Sequence, residues 1–94
     1  MELLEVTEDV VPKLARGMRL RHDKTRDQWA IMAPERMFVL DEIGKVIIEA
    51  CDGRKSVGQI VDALAAAYQA PREVILNDVT ELLQSFANKG VVIA

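Results

Sequence analysis

Two periods divide the chain. From Met18 to His22 apolar and polar residues alternate as Met-Arg-Leu-Arg-His, the two-residue repeat of a strand with one buried face. Gln28-Trp29-Ala30-Ile31-Met32 reads as a second strand with Trp29 and Ile31 on one face. Asp23-Lys24-Thr25-Arg26-Asp27 between them has the polarity and length of a hairpin connection. Ala33-Pro34-Glu35-Arg36 is a turn in which proline presets the backbone angle, and Met37-Phe38-Val39-Leu40 is a third strand, too short an apolar run for a helix. The repeat then lengthens to that of helices. Asp41 caps the first, whose predicted inward stripe is Ile43, Val46, Ile47 and Ala50, and Gly53 closes it after Cys51-Asp52. Ser56-Val57-Gly58-Gln59 resembles a capping box for the second, with Ile60, Val61, Leu64, Ala65 and Tyr68 inward. Pro71 opens the third, which runs to Gly90 with Ile75, Val79, Leu82, Leu83 and Phe86 inward and Leu76 beside them. Val91-Val92-Ile93 is left as a short strand or a plug for the core. The predicted architecture is α+β and winged-helix-like, a three-stranded antiparallel sheet followed by three helices.

Residues 1–16 carry no sustained period and contain Pro12, so they read as an N-terminal arm, partly mobile until something holds it, ahead of a folded domain over 17–94. Leu3, Leu4, Val10, Val11 and Leu14 make that arm apolar enough to cover part of the core or of another subunit. The 94 residues suffice for one core, and 50% hydrophobic with 29% charged residues is a globular composition. No apolar run nears the ~18 residues of a membrane span, and the acidic N-terminus lacks the basic start of a secretory signal, so a soluble cytoplasmic protein is expected. Net charge of -3 weighs against nucleic acid and anionic membrane. The local exception is Lys13, Arg16, Arg19, Arg21, Lys24 and Arg26 with His22 among them, a solvated strand edge or a docking surface for an acidic partner.

Candidate chemistry is sparse. One cysteine, Cys51, excludes an internal disulfide and a multi-cysteine metal site, and the single histidine, His22, lies far from it in sequence. No nucleophile with a base, phosphate loop or metal cluster stands out, so neither enzyme activity nor a cofactor is expected. A DNA-binding winged helix would place cations on its third helix, but here Arg72 and Lys89 face Glu73, Asp78 and Glu81. What remains is the third strand, whose outer edge neither proline nor an inward charge protects. Strand addition needs only such an edge and an apolar groove beside it, for which Val74 and Leu76 at the margins of the last helix are candidates. The same edge, with the arm, invites pairing of two chains as a homodimer.

The ordered set Pro12-Lys13-Leu14-Ala15-Arg16-Gly17-Met18-Arg19-Leu20, Asp23, Trp29, Ala33-Pro34-Glu35-Arg36, Leu40-Asp41, Gly44, Cys51-Asp52-Gly53, Ile60, Leu64, Tyr68, Asp78-Val79, Leu82 and Lys89-Gly90 resembles the PqqD family of pyrroloquinoline quinone (PQQ) biosynthesis, over about residues 12–93. The resemblance implies a peptide chaperone, a recognition element that binds the ribosomally made precursor peptide PqqA and presents it to the radical S-adenosylmethionine enzyme PqqE. It further implies that the peptide adds beside the third strand, at Arg36, Met37, Phe38, Val39 and Leu40, and lies against Ile75, Asp78, Val79 and Leu82 of the third helix. A recognition domain for another ribosomally made modified peptide, or a winged-helix DNA-binding protein, is the alternative.

Overall fold

The computed structural model describes residues 4–94; Leu3, expected to cover apolar surface, lies outside the described residues. The elements run β1 (Lys13–Leu14), β2 (Arg19–Asp23), β3 (Gln28–Met32), β4 (Met37–Leu40), α1 (Glu42–Ala50), α2 (Val57–Tyr68), α3 (Arg72–Asn88) and β5 (Val92–Ile93). Strands β2, β3 and β4 form an antiparallel sheet in that order, and β1 pairs with β5 in a separate two-stranded ribbon. The register sets Leu20 opposite Ile31 and Ile31 opposite Phe38, with Trp29 between His22 and Leu40. One face of the sheet is therefore apolar and rests on the helices, and the other carries the rows Arg19-Met32-Met37 and Arg21-Ala30-Val39.

The core joins Ile31 and Leu40 of that face to Ile47 and Ile48 of α1, Val57, Ile60, Val61 and Leu64 of α2, and Val79, Leu83, Phe86 and Ala87 of α3, with Val91 and Val92 closing it from below. The Val91-Val92-Ile93 segment is thus both strand and plug. Two predicted stripes are rotated. On α1, Ile48 is buried and Ile43 is 42% exposed, because Ile43 borders an open cavity rather than the core. On α2, Tyr68 is exposed at the last turn, and Val57 and Gly58 are buried at the first.

The first turn of α2 explains residues 4–16. A helix leaves its first amides without intrahelical partners. Ser56 and Gln59 satisfy two groups reciprocally, the Gln59 amide donating to Ser56 Oγ (3.2 Å) and the Ser56 amide to Gln59 Oε1 (2.9 Å). The amides of Val57 and Gly58 donate instead to the carbonyls of Val10 (2.8 Å) and Glu8 (3.0 Å). A Cβ on Gly58 would stand 3.1 Å from Glu8 Oε1, so glycine lets the strap approach. Gly53 donates to Pro12 O (3.0 Å), Ala15 to Val91 O (2.8 Å), and Val6 and Pro12 are buried. Residues 4–15 thus meet the rest of the chain largely through backbone bonds, to the first turn of α2, to Gly53, to Val91 and to β5, which require no side-chain period.

Candidate functional site

The sheet has two outer edges, and their side chains differ. Along β2, Arg19, Arg21 and Asp23 alternate with Leu20 and His22, a charged edge of the kind that discourages pairing. Along β4 the residues are Met37, Phe38, Val39 and Leu40, and no charge interrupts them. The Ala33 amide donates to Arg36 O (2.8 Å), closing the hairpin at a hydrogen-bonded pair. Antiparallel pairs alternate, so Phe38 and Leu40 direct their backbone groups toward β3, and Met37 and Val39 direct theirs to the free edge. That leaves one amide and one carbonyl on each of two residues, fewer than a longer strand would offer.

Beside this edge lies a groove whose wall is set by Asp41. Its Oδ1 accepts from the Gly44 amide (2.7 Å), so β4 passes into α1 without a loop and the first turn of α1 must border the end of the strand. Ile43, Gly44 and Ile47 on that side, and Asp78, Glu81, Leu82 and Ser85 on α3, line a cavity of about 490 Å³ with Asp41 at its rim. A second, more enclosed pocket of about 70 Å³ shares Ile43, Ile47 and Asp78 with it and is otherwise lined by Val46, Leu64, Tyr68, Ile75 and Val79. Helix α3 runs antiparallel to β4, since Asp78 shares the cavity with Asp41 and Phe86 meets Phe38 edge-on at 5.7 Å between ring centres. Arg36 and Lys89 bring cations to 5.1 and 5.8 Å from the Phe38 ring centre, and Lys89 Nζ lies 3.4 Å from Ser85 Oγ.

The nine residues implicated by the sequence occupy three positions. Arg36, Met37, Val39 and Asp78 are exposed; Leu82 and Ile75 are half-buried on the cavity walls and Phe38 is half-buried against Phe86 without lining a cavity; Leu40 and Val79 are core, 6% and 1% exposed. Val74 and Leu76 line neither cavity. Ile43, Gly44, Ile47, Glu81 and Ser85 were not singled out. The signal for them was present: Glu81, Leu82 and Ser85 follow Asp78 at the three-, four- and seven-residue spacing of one helix face, and Gly44 is the partner of the Asp41 cap.

Elsewhere the polar groups are used structurally. Burial pushes the Cys51 thiol up to about 12, with Asp52 adding repulsion, and Sγ donates to Ile47 O (3.3 Å), so the group is an inert thiol. His22 pairs with Asp27 (3.0 Å) and lies tilted at 44° against Trp29 with ring centres 5.0 Å apart, and Lys45 places its ammonium 4.6 Å from the Trp29 ring centre. Trp29 is therefore half core and half capped by charge. Among the described residues no three His, Cys, Asp or Glu side chains gather as a metal site, and no helix is long and apolar enough to cross a membrane.

A charged edge, an open apolar edge and a groove shared with the last helix define a winged-helix-like α+β domain whose distinctive surface is backbone and apolar groove rather than a catalytic cluster. Residues 28–92 match the family described as Coenzyme PQQ synthesis protein D (PqqD), and the chain belongs to that family. It is 47% identical to a protein of Bradyrhizobium diazoefficiens named PqqA binding protein, over 93% of this chain and 84% of that one. The solution structure of the PqqD part of Methylobacterium extorquens PqqCD, described as a functional, stand-alone RiPP recognition element, superposes with a TM-score of 0.83 at 36% identity, covering 95% of each chain. TbiB1 in complex with the TbiA(beta) leader peptide gives 0.72 at 26% identity over 85% of this chain and 93% of that one.

Proposed function

We propose that this protein is a non-catalytic peptide chaperone of PQQ biosynthesis, which takes up a PqqA-type precursor peptide as an extra strand on β4 and presents it to the radical S-adenosylmethionine enzyme PqqE. The observation that carries the reading is the unprotected edge at Met37 and Val39 beside an apolar groove. Family membership, relatives named for binding PqqA, and a structural neighbour in complex with a leader peptide support it. Magnitudes are compatible with it. Up to four backbone hydrogen bonds at about 0.5–1.5 kcal/mol and two apolar anchors at about 1.5–3 kcal/mol give roughly 5–12 kcal/mol. Ordering a flexible peptide removes several of these, which leaves binding near or above the micromolar range of about 8 kcal/mol for a well-matched peptide. The domain contributes effective concentration, and the enzyme contributes the chemistry.

An amide NMR titration of labelled protein with the precursor peptide tests the site. Shifts are expected at Arg36 to Leu40, at Ile43 to Ile47 and along Ile75 to Ser85. A folded, monomeric protein whose amides stay unmoved at high micromolar peptide would rule the reading out for that peptide.

A further inference from the structure

The groove beside β4 has ends of opposite charge. Where β4 passes into α1, Asp78 and Glu81 stand one turn apart on α3, both exposed and both lining the 490 Å³ cavity, with Asp41 across from them. At the other end are the guanidinium of Arg36 and the ammonium of Lys89, flanking Phe38, with Lys89 reaching Ser85 on the cavity wall. Among the described residues none of these five charges is held in an ion pair. Lys45, on the helix that Asp41 caps, is engaged by Glu49 (3.0 Å) and the Trp29 ring, so it does not neutralise the acidic end. Between the two ends lie Leu82, half-buried on the cavity wall, and half-buried Phe38, which borders the cavity's basic side through its contact with Phe86, while Ile43 shares the acidic end with Asp78.

An added strand presents every second side chain to this groove, and at about 3.3 Å per residue three such side chains span about 13 Å, close to the length of four-residue β4. All strand pairs among the described residues are antiparallel, and antiparallel pairing is the more stable per residue. An antiparallel guest enters at the Asp78 end and leaves at the Arg36 end. Resting on the strand-addition reading above, we infer that the groove selects and orients peptides bearing a cation, an apolar residue and a carboxylate, in that order, on alternate positions. The cation meets Asp78 and Glu81, the apolar side chain rests between Phe38 and Leu82, and the carboxylate meets Arg36 and Lys89. Wrong partners are penalised by like charge at both ends at once.

The test uses two labelled peptides with the same flanks, one containing Lys-Thr-Leu-Thr-Glu and the other Glu-Thr-Leu-Thr-Lys, titrated by fluorescence anisotropy at low salt beside the precursor peptide. The first is expected to bind at least fivefold tighter, and the difference should shrink as salt screens the exposed charges. The Arg36→Glu, Lys89→Glu, Asp78→Lys, Glu81→Lys variant should invert the preference, and the milder Asp78→Asn, Glu81→Gln variant should flatten it. Equal affinities, the opposite preference, or no binding of either peptide where the precursor does bind would overturn the inference and leave strand addition standing. Failure of the precursor itself would bring down the strand-addition reading and this inference with it.

Discussion

Residues 4–14, an irregular segment with a turn at Glu8-Asp9, and strand β4 both lie against the helices, yet one has most of its backbone groups engaged and the other turns half of them outward. The carbonyls of Glu8, Val10 and Pro12 accept from the first turn of α2 and from Gly53, and Gln84 grips the segment on the α3 side, taking the Val6 amide on Oε1 (2.9 Å) and donating to Leu4 O (2.7 Å). Val6 anchors it in the core at 8% exposure. This is the chain's own demonstration of how a segment without regular structure is held here: backbone bonds, buried Val6 and Pro12, and a polar clamp. At β4 the apolar surface and charged flanks are present, and among the described residues the outward groups of Met37 and Val39 pair with no strand. The contrast teaches that the backbone groups of one segment are used within the chain and those of the other face outward, the state that the proposed strand addition requires.

The sharpest way to break that contrast is to place proline at neighbouring positions of β4. Phe38→Pro removes an amide that pairs with β3 and the ring that meets Phe86, and is expected to cost about 3 kcal/mol or more in urea unfolding. Val39→Pro removes an amide that faces the free edge, where proline is tolerated. It should leave the unfolding midpoint nearly unchanged and weaken the precursor peptide at least tenfold by anisotropy. Loss of stability in both variants would show that the Val39 amide is not free.

The occupied segment is expected to respond less. Gln84→Ala removes both ends of the clamp on Leu4 and Val6, two hydrogen bonds worth about 0.5–1.5 kcal/mol each. The expected result is a loss of about 1–3 kcal/mol with faster amide exchange at Val6 and unchanged peptide affinity. A change in peptide affinity would mean that the two segments are coupled across α3. Asp41→Ala acts at the junction of strand and helix; loss of the cap on Gly44 should cost about 0.5–2 kcal/mol and loosen the groove wall at Ile43, seen as larger amide shift dispersion there on peptide addition.

The same two segments mark what the sequence could and could not show. Strand β4 was legible because Met37-Phe38-Val39-Leu40 is bounded by a turn proline and a capping aspartate, both local signals. The capping box at Ser56 and Gln59 and the left-handed glycine, Gly53, that closes α1 were legible for the same reason. The strap was not, since its partners lie far along the chain: Val6 with Gln84, and Lys13 and Leu14 with Ile93 and Val92. A two-residue ladder has no period to detect. The groove was half legible. Its strand follows from pattern, but Ile43 read as an inward residue because a helix stripe records apolarity and not whether the neighbour is the core or an open cavity.

The smallest effect expected is electrostatic and falls on the occupied segment alone. Arg72 at the start of α3 pairs with Glu8 and with Asp62 (2.6 Å to its Nε), fastening the strap where Glu8 O accepts from Gly58. The hydrogen bond from Arg72 holds the Glu8 carboxyl below its ordinary value of 4.5, and the same pair raises the affinity of the guanidinium for its proton. A folded-state pKa that is depressed contributes stability above the unfolded value and loses it as pH falls through the folded one. Exchange at the Val57 and Gly58 amides, corrected for intrinsic rates, should therefore quicken a few-fold as pH falls below about 4.5, the exposed pair being well screened. Asp52, held low mainly by the Arg54 amide, titrates downward in the same region and acts on the whole domain, so the control must be local. In Arg72→Met the pH-dependent part should fall at Val57 and Gly58 to the level shown by β3, the remainder being that of Asp52. If it is undiminished at Val57 and Gly58, the segment is held by its backbone bonds and Val6 alone, and it becomes a closer analogue of the strand proposed to bind at β4.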